Sequence, residues 1–72
     1  MSYISRRKKI IDMLRKMGYD VVENEFDNEV QIRLTTNKGY GVLQRMSNEV
    51  LYEPDIVETI VNRMNDLIKR HL

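Results

Sequence analysis

The sequence predicts a small α+β domain with the order helix, antiparallel meander of three to four strands, helix. Three observations predict this class. Apolar residues recur at helical spacing near both ends of the chain, whereas the middle alternates apolar and polar residues with a period of two. Both helices also need an apolar partner, which one face of a sheet provides. We therefore expect both helices on one face of the sheet, and a single compact domain over residues 1–72.

The first helix is predicted over residues 5–18, SRRKKIIDMLRKMG, and Gly18 suits its end. Helical spacing gives it one apolar face, formed by Tyr3, Ile10, Met13, Leu14 and Met17. The opposite face carries a basic stripe of four cations and one acid, net charge +3, made of Lys8, Lys9, Asp12, Arg15 and Lys16. Arg6 and Arg7 fall on the apolar side instead. We expect their stems to lie along the core edge and their charged ends to find an acid, such as one within residues 49–58.

The strands are predicted from VVENEF, EVQIRLTT, YGVLQRM and EVLYE, which the turn-forming segments DN, NKG and SN separate. Gly39 suits the left-handed position of the second turn. If each hairpin has a three-residue loop, one face of the sheet collects Val22, Phe26, Val30, Ile32, Leu34, Val42, Met46, Val50 and Tyr52. On the other face Glu23 then comes opposite Arg33, and Glu25 opposite Gln31, which supports a meander. Two alternatives stay open. In one, the segment predicted as the first strand is a loop. In the other, the third hairpin has a two-residue turn at SN, which reverses the facing of the last strand.

The second helix is predicted over residues 54–72 and has the cleanest pattern. An arc of about 160° holds its apolar residues, which are Ile56, Val57, Ile60, Val61, Met64, Leu67, Ile68, His71 and Leu72. Pro54 suits the first helical position. Acids lie near the start and cations near the end, so these charges complement the helix dipole. We expect this helix to cover a core, and its charges need no functional explanation.

The composition is that of a globular chain, with 42% apolar and 32% charged residues. The net charge is +1, but basic and acidic blocks alternate along the chain, which favours pairing between neighbouring elements. No Cys occurs, so disulfides and cysteine metal sites are excluded. No apolar run has the length of a membrane span, and we expect a cytoplasmic protein that binds no membrane. The lack of Ala favours an AT-rich genome, such as that of a phage or other mobile element.

Patterns that carry catalysis or bind metals are scarce. The single His, His71, is next to the last residue, where a catalytic base is poorly oriented. The GYG segment lacks the Lys and the helix of a phosphate-binding loop. Four acids alternate along the first hairpin, namely Glu23, Glu25, Asp27 and Glu29. A turn within them would splay the carboxylates, so solvated charge is favoured over a divalent-cation or nuclease site. We therefore expect no enzyme, no cofactor and no metal.

The order helix, three strands, helix over about 70 residues resembles the double-stranded-RNA-binding domain in topology. That family places a Lys-rich cluster at the start of its second helix and a GPxH-type loop between strands. Here the second helix starts with EPDIVE, which is acidic, and the loop is TNKG, so the resemblance implies no phosphate contacts at either place. Nucleic-acid binding then depends on the basic stripe of the first helix, with candidate contacts Lys8, Lys9, Arg15 and Lys16.

Protein association is the function that the sequence favours most. The predicted outer sheet face shows apolar residues among charges of both signs, and exposed apolar patches mark interaction sites. The candidate interface residues are Val21, Arg33, Leu43, Arg45 and Leu51. A small domain also gains core by dimerising, so a homodimer is an alternative to a different protein partner. A non-enzymatic regulatory module that binds protein is thus expected first, and a nucleic-acid-binding module second.

Overall fold

The computed structural model describes residues 3–70 and confirms the predicted α+β class. The elements in chain order are α1 (Tyr3–Lys16), β1 (Asp20–Phe26), β2 (Glu29–Thr35), β3 (Gly41–Ser47), a 3₁₀ helix (Asn48–Tyr52) and α2 (Ile56–Lys69). Within the described residues the strands form an antiparallel sheet in the order β1-β2-β3. His71 and Leu72, which the sequence assigns to the apolar arc of the second helix, lie outside the described residues.

The hydrophobic core joins both helices to one alternating set of strand residues. From α2 it takes Ile56, Ile60, Val61, Met64 and Ile68, all members of the predicted arc. From α1 it takes Ile10, Ile11 and Leu14. The sheet contributes Val21, Val30, Ile32, Leu34 and Met46, with Val42 partly buried. The buried residues of the helices and of the sheet form one core. The intervening strand residues belong to the opposite face.

α1 ends at a Schellman motif built on Gly18. The Gly18 N–H donates to the Arg15 carbonyl at 3.0 Å, and the Tyr19 N–H donates to the Leu14 carbonyl at 3.4 Å. Gly18 has a φ of 94°, a left-handed conformation that glycine adopts without a Cβ clash. The prediction that Gly18 ends the first helix is confirmed. Tyr19 then ties the turn to α2, because its hydroxyl donates to Asn65 Oδ1 at 2.7 Å.

The first hairpin has a two-residue loop, so the predicted three-residue loop is wrong. Phe26 pairs with Glu29 across this loop, and Val22 pairs with Arg33. A shift of one residue turns every side chain of a strand to the other face. Val21 is therefore buried, with 6% of its surface exposed, whereas Val22 and Phe26 face away from the core in which they were expected.

An ion-pair cluster on the core side of β1 accompanies this register. Glu23 and Glu25 lie next to α1, and not opposite the β2 residues that were predicted to pair with them. Arg7 Nε lies 3.0 Å from Glu23 Oε2, and Arg7 Nη1 lies 3.2 Å from Glu25 Oε1. Only 12% of the Arg7 side chain is exposed, so its charge needs these carboxylates. Arg7 thus finds its acids on β1, and not within residues 49–58 as expected.

The second hairpin has the predicted three-residue loop, NKG. The Thr36 N–H donates to the Tyr40 carbonyl at 2.9 Å, and the Gly39 N–H donates to the Thr36 carbonyl at 3.0 Å. Gly39 has a φ of 88°, so its predicted left-handed conformation is confirmed. The loop length keeps β3 in its expected orientation. Met46 is buried in the core, and Leu43 faces away from it.

The predicted fourth strand is instead the 3₁₀ helix Asn48–Tyr52. Leu51 was expected on the outer sheet face but is completely buried, because the helical turn directs it into the core. Tyr52 was expected to face inward and is 56% exposed. Arg6 holds this segment against α1, since its Nη1 donates to the carbonyls of Leu51 and Glu53, both at 2.9 Å. Arg6 therefore binds backbone oxygens and not the expected acid.

α2 begins at Ile56, so Pro54 lies before the helix and does not take its predicted first position. Asp55 is the residue before the helix and has a φ of 61°, a left-handed conformation that aspartate adopts more readily than most residues. Thr59 closes the first turn, because its N–H and its hydroxyl both donate to the Asp55 carbonyl, at 3.0 Å and 2.9 Å. The sharp turn at Asp55 lets the chain leave the 3₁₀ helix and enter α2.

Candidate functional site

The sheet face opposite the core carries a row of three residues with contrasting chemistry. Val22 on β1, Arg33 on β2 and Leu43 on β3 are direct partners across the strands. Partners in an antiparallel sheet project from the same face about 5 Å apart, so the stem of Arg33 lies between two aliphatic side chains. We call this surface the open sheet face, defined by Val22, Asn24, Phe26, Glu29, Gln31, Arg33, Leu43 and Arg45.

Large apolar side chains are exposed on the open sheet face. Val22 is 56% exposed, Phe26 is 53% exposed and Leu43 is 47% exposed. One side of an antiparallel sheet can face water, but that side is usually polar. Single exposed apolar residues are ordinary on a protein surface. Here Val22 and Phe26 on β1 and Leu43 on β3 share one face, with Val22 and Leu43 on either side of Arg33 and Phe26 at the far end of β1 opposite Glu29, and we call these three residues the apolar patch.

Glu29 and Arg45 form the best-defined ion pair of the open sheet face. Arg45 Nε donates to Glu29 Oε1 at 2.7 Å, and Arg45 Nη2 donates to Glu29 Oε2 at 3.4 Å. The hydrogen bond from Arg45 lowers the pKa of the Glu29 carboxyl below its ordinary value. The same bond raises the pKa of Arg45. The two charges therefore largely neutralise each other beside the apolar patch.

Arg33 differs from Arg45, because it makes no side-chain hydrogen bond or ion pair with any residue of the described part of the chain. It is exposed and stands between Val22 and Leu43. A shallow groove open to solvent runs beside it, lined by Arg33, Thr35, Gly39, Gly41, Val42 and Leu43. The open sheet face thus presents an unmatched guanidinium, a groove and an apolar patch side by side.

Three of the five predicted interface residues lie on this face, and two do not. Arg33, Leu43 and Arg45 are exposed there as expected. The expected exposure of Val21 and Leu51 is wrong, because both are buried in the core at 6% and 0% exposure. Two other apolar residues, Val22 and Phe26, are exposed on this face instead. Sequence reasoning missed Val22 and Phe26, and the one signal that could have found them was the short turn segment DN, which fits a two-residue loop.

The four predicted nucleic-acid contacts, Lys8, Lys9, Arg15 and Lys16, are all exposed on α1. Arg15 has a structural contact, because its Nη2 donates to the Val21 carbonyl at the start of β1, at 3.1 Å. Among the described residues, the three lysines have no side-chain hydrogen bond or ion pair. The basic stripe therefore consists of three unpaired lysines and one arginine that also holds β1.

The acidic run of the first hairpin is divided between the two faces of the sheet. Glu23 and Glu25 bind Arg7 of α1, whereas Glu29 binds Arg45 on the open sheet face. Within residues 3–70, no group of three or more acidic or histidine side chains is close enough to hold a metal ion. Glu23, Glu25 and Glu29 thus have arginine partners.

Comparison of the chain with protein-family models, with curated proteins and with solved structures finds no match. In the part of the chain that the structure describes, neither helix has the length and apolar character needed to cross a membrane.

Proposed function

We propose that this protein acts by binding another protein through the open sheet face, and not by catalysis. The observation that carries the proposal is the apolar patch of Val22, Phe26 and Leu43, each about half exposed on one sheet face, with Val22 and Leu43 on either side of the unmatched Arg33. Interaction surfaces combine apolar anchors with arginine more often than the rest of a protein surface does. A cytoplasmic location belongs to the same proposal, since a chain without cysteine relies on no disulfide.

The size of the patch indicates a weak or reversible complex. Burying a fully exposed Val, Leu or Phe contributes about 1.5–3 kcal/mol, so three half-exposed side chains contribute roughly 3 kcal/mol together. Association costs at least about 4 kcal/mol of translational and rotational freedom. The apolar patch alone therefore does not hold a partner, and polar contacts to Arg33 and Arg45 must contribute to the affinity.

A second candidate function is nucleic-acid binding by α1. It is favoured by the exposed lysines Lys8, Lys9 and Lys16, which have no partner among the described residues. It is weakened by the cations around them, because Arg6, Arg7 and Arg15 are all engaged in contacts that hold the fold. Three lysines on one helix would give modest affinity that falls steeply with salt.

The test of the first proposal is a quantitative comparison of proteins retained by the tagged chain and by its variants in the source cells. Leu43→Ser and Phe26→Ser remove anchors from the open sheet face, and Met17→Ser is a matched control. Met17 lies at the end of α1 and, like Leu43, is 47% exposed. We expect wild type and Met17→Ser to retain a protein that both face variants lose. Calorimetry should then show that this protein binds the purified wild-type chain.

Equal retention by all four chains would refute the open sheet face as the interface. The second candidate is tested in parallel with duplex and single-stranded DNA and RNA at low salt. Nucleic acid would be favoured over protein as the partner if the double variant Lys8→Glu with Lys16→Glu no longer retained it and Leu43→Ser retained it as well as wild type.

A further inference from the structure

Arg33 is the polar centre of the open sheet face, and its surroundings indicate what a partner must supply. As an extension that rests on the proposed function, we infer that the groove beside Arg33 accepts a carboxylate side chain of a protein partner. An apolar side chain of the same partner segment then packs on Val22 and Leu43. The partner class is therefore a protein segment that carries Asp or Glu beside large apolar residues.

The charges of the face leave Arg33 as the cation that a partner has to match. Arg45 is already bound by Glu29 through both of its hydrogen bonds. Arg33 has no such acid in the described part of the chain. A partner that covers Val22 and Leu43 also covers the guanidinium between them, and an unpaired buried charge is strongly unfavourable. A carboxylate relieves this cost best, because it matches the planar guanidinium with two parallel hydrogen bonds.

Two glycines make room for that carboxylate. Gly39 and Gly41 line the groove together with Arg33, and neither has a side chain to fill it. Gly39 is explained by its left-handed turn conformation. Gly41 has no such need, since a Cβ there would meet its nearest neighbour, the Leu34 carbonyl oxygen, at an ordinary 3.5 Å. Gly41 is the first residue of β3, and with no side chain there the space beside Arg33 stays open to another molecule.

The same geometry disfavours a polyanion and a second copy of this chain. A nucleic acid requires several free cations along its backbone, whereas the groove offers Arg33 flanked by aliphatic side chains. In a twofold dimer built face to face, residues of the central strand approach their own copies. With the axis near Arg33, Arg33 would oppose Arg33, and Glu29, the acid on the same strand, is already bound to Arg45.

The test is a selection from a library of short random peptides displayed on phage, with the wild-type chain as bait. Parallel selections use Arg33→Glu and Leu43→Ser as baits, and light scattering gives the mass of each chain. We expect wild type to enrich peptides with Asp or Glu next to large apolar residues. An enriched peptide, synthesised and measured by calorimetry, should bind Arg33→Met about tenfold more weakly, the loss expected for one charge-assisted interaction. The Arg33→Glu bait should enrich peptides with Lys or Arg at the acidic position instead.

Gly41→Thr separates binding from folding, because it adds a side chain to the groove lining and its Cβ meets its nearest neighbour at an ordinary 3.5 Å. We expect this variant to unfold at a higher urea concentration than wild type, since a β-branched residue replaces glycine in a strand. The same variant should bind the acidic peptide at least tenfold more weakly. Full affinity in Gly41→Thr would overturn the groove as the binding place.

The outcomes distinguish this inference from the proposed function. Suppose that the enriched peptides lose affinity in Leu43→Ser but bind Arg33→Met and Arg33→Glu as tightly as wild type. This result would overturn the inferred carboxylate contact and leave the proposed protein-binding face intact. A dimer that Leu43→Ser dissociates would make a second copy the occupant and would also overturn the inference. Peptides that bind the Leu43→Ser bait as well as wild type would refute the open sheet face itself, and the inference with it.

Discussion

The facing of β1 decides which residues lie on the open sheet face, and two neighbouring valines test it. Val21 is 6% exposed and Val22 is 56% exposed, although they are adjacent and identical in type. Replacing each by Ala removes the same atoms from two different environments. The three-residue loop that the sequence first suggests would exchange the two environments, so the pair of substitutions reports directly on the hairpin register.

The expected effects follow from burial. Val→Ala removes the equivalent of two methylene groups, each contributing about 0.8 kcal/mol when buried, and leaves a cavity that the core fills incompletely. Val21→Ala should therefore lower the free energy of unfolding by about 1.5–2.5 kcal/mol. Val22 is more than half exposed, so Val22→Ala should cost about 0.5 kcal/mol, mostly from lower strand propensity. In a domain of this size, a difference of 1 kcal/mol shifts the melting temperature by roughly 4–8 °C.

The assay is urea unfolding of the three purified chains, followed by circular dichroism at one temperature and protein concentration. The free energy of unfolding must fall with urea concentration at the same slope in all three chains before their midpoints are compared. A loss from Val22→Ala that equals or exceeds the loss from Val21→Ala would refute the two-residue hairpin. The open sheet face would then lose Val22 and Phe26 to the core, and the proposed interface would fail with the register.

Three further predictions concern charge and backbone conformation. Arg7→Met removes both ion pairs to β1 and should lower the free energy of unfolding by about 1 kcal/mol, whereas Lys8→Met, at an exposed position, should change it by less than about 0.5 kcal/mol in urea unfolding. Gly18→Ala should cost about 1 kcal/mol, because Gly18 has a φ of 94°; no loss in the same assay would argue against the left-handed turn. The pKa of Glu29 is lowered by its hydrogen bond from Arg45, so the pair stabilises the fold above the ordinary carboxyl pKa, and this contribution is lost as the pH falls through the lowered pKa. Urea unfolding between about pH 6 and about pH 3 should therefore show a smaller acid-induced loss in Arg45→Met than in wild type.

Strong periodicity made the two helices and the second hairpin predictable. The apolar residues of α2 lie in one arc, so only one face of this helix can be buried. Its buried residues all belong to that arc, namely Ile56, Ile60, Val61, Met64 and Ile68. Gly18 and Gly39 could be placed because a left-handed conformation leaves glycine as the residue without a steric cost. These signals are local, so they need no knowledge of the tertiary packing.

The first hairpin and the segment after β3 were not predictable in the same way. VVENEF has an apolar residue on both of its alternating sets, so the period of two does not say which set is buried. The choice involves Arg7, which lies far along the chain from its partners Glu23 and Glu25 and meets them only in the folded structure. EVLYE has strand propensity, but the buried position of Leu51 in a 3₁₀ turn overrides it.

The contacts from α1 to β1 connect the fold to the candidate site. Arg7 binds Glu23 and Glu25, and Arg15 binds the carbonyl of Val21, so two cations of one helix hold the strand with these residues toward the core. The consequence is that Phe26 turns outward, which forgoes about 1 kcal/mol of burial that the other register would gain. A polar residue at this position would remove that cost without touching the core. Phe26 lies opposite Glu29 at the end of β1, and its exposure supports the proposed protein interface because burial against a partner would recover that free energy.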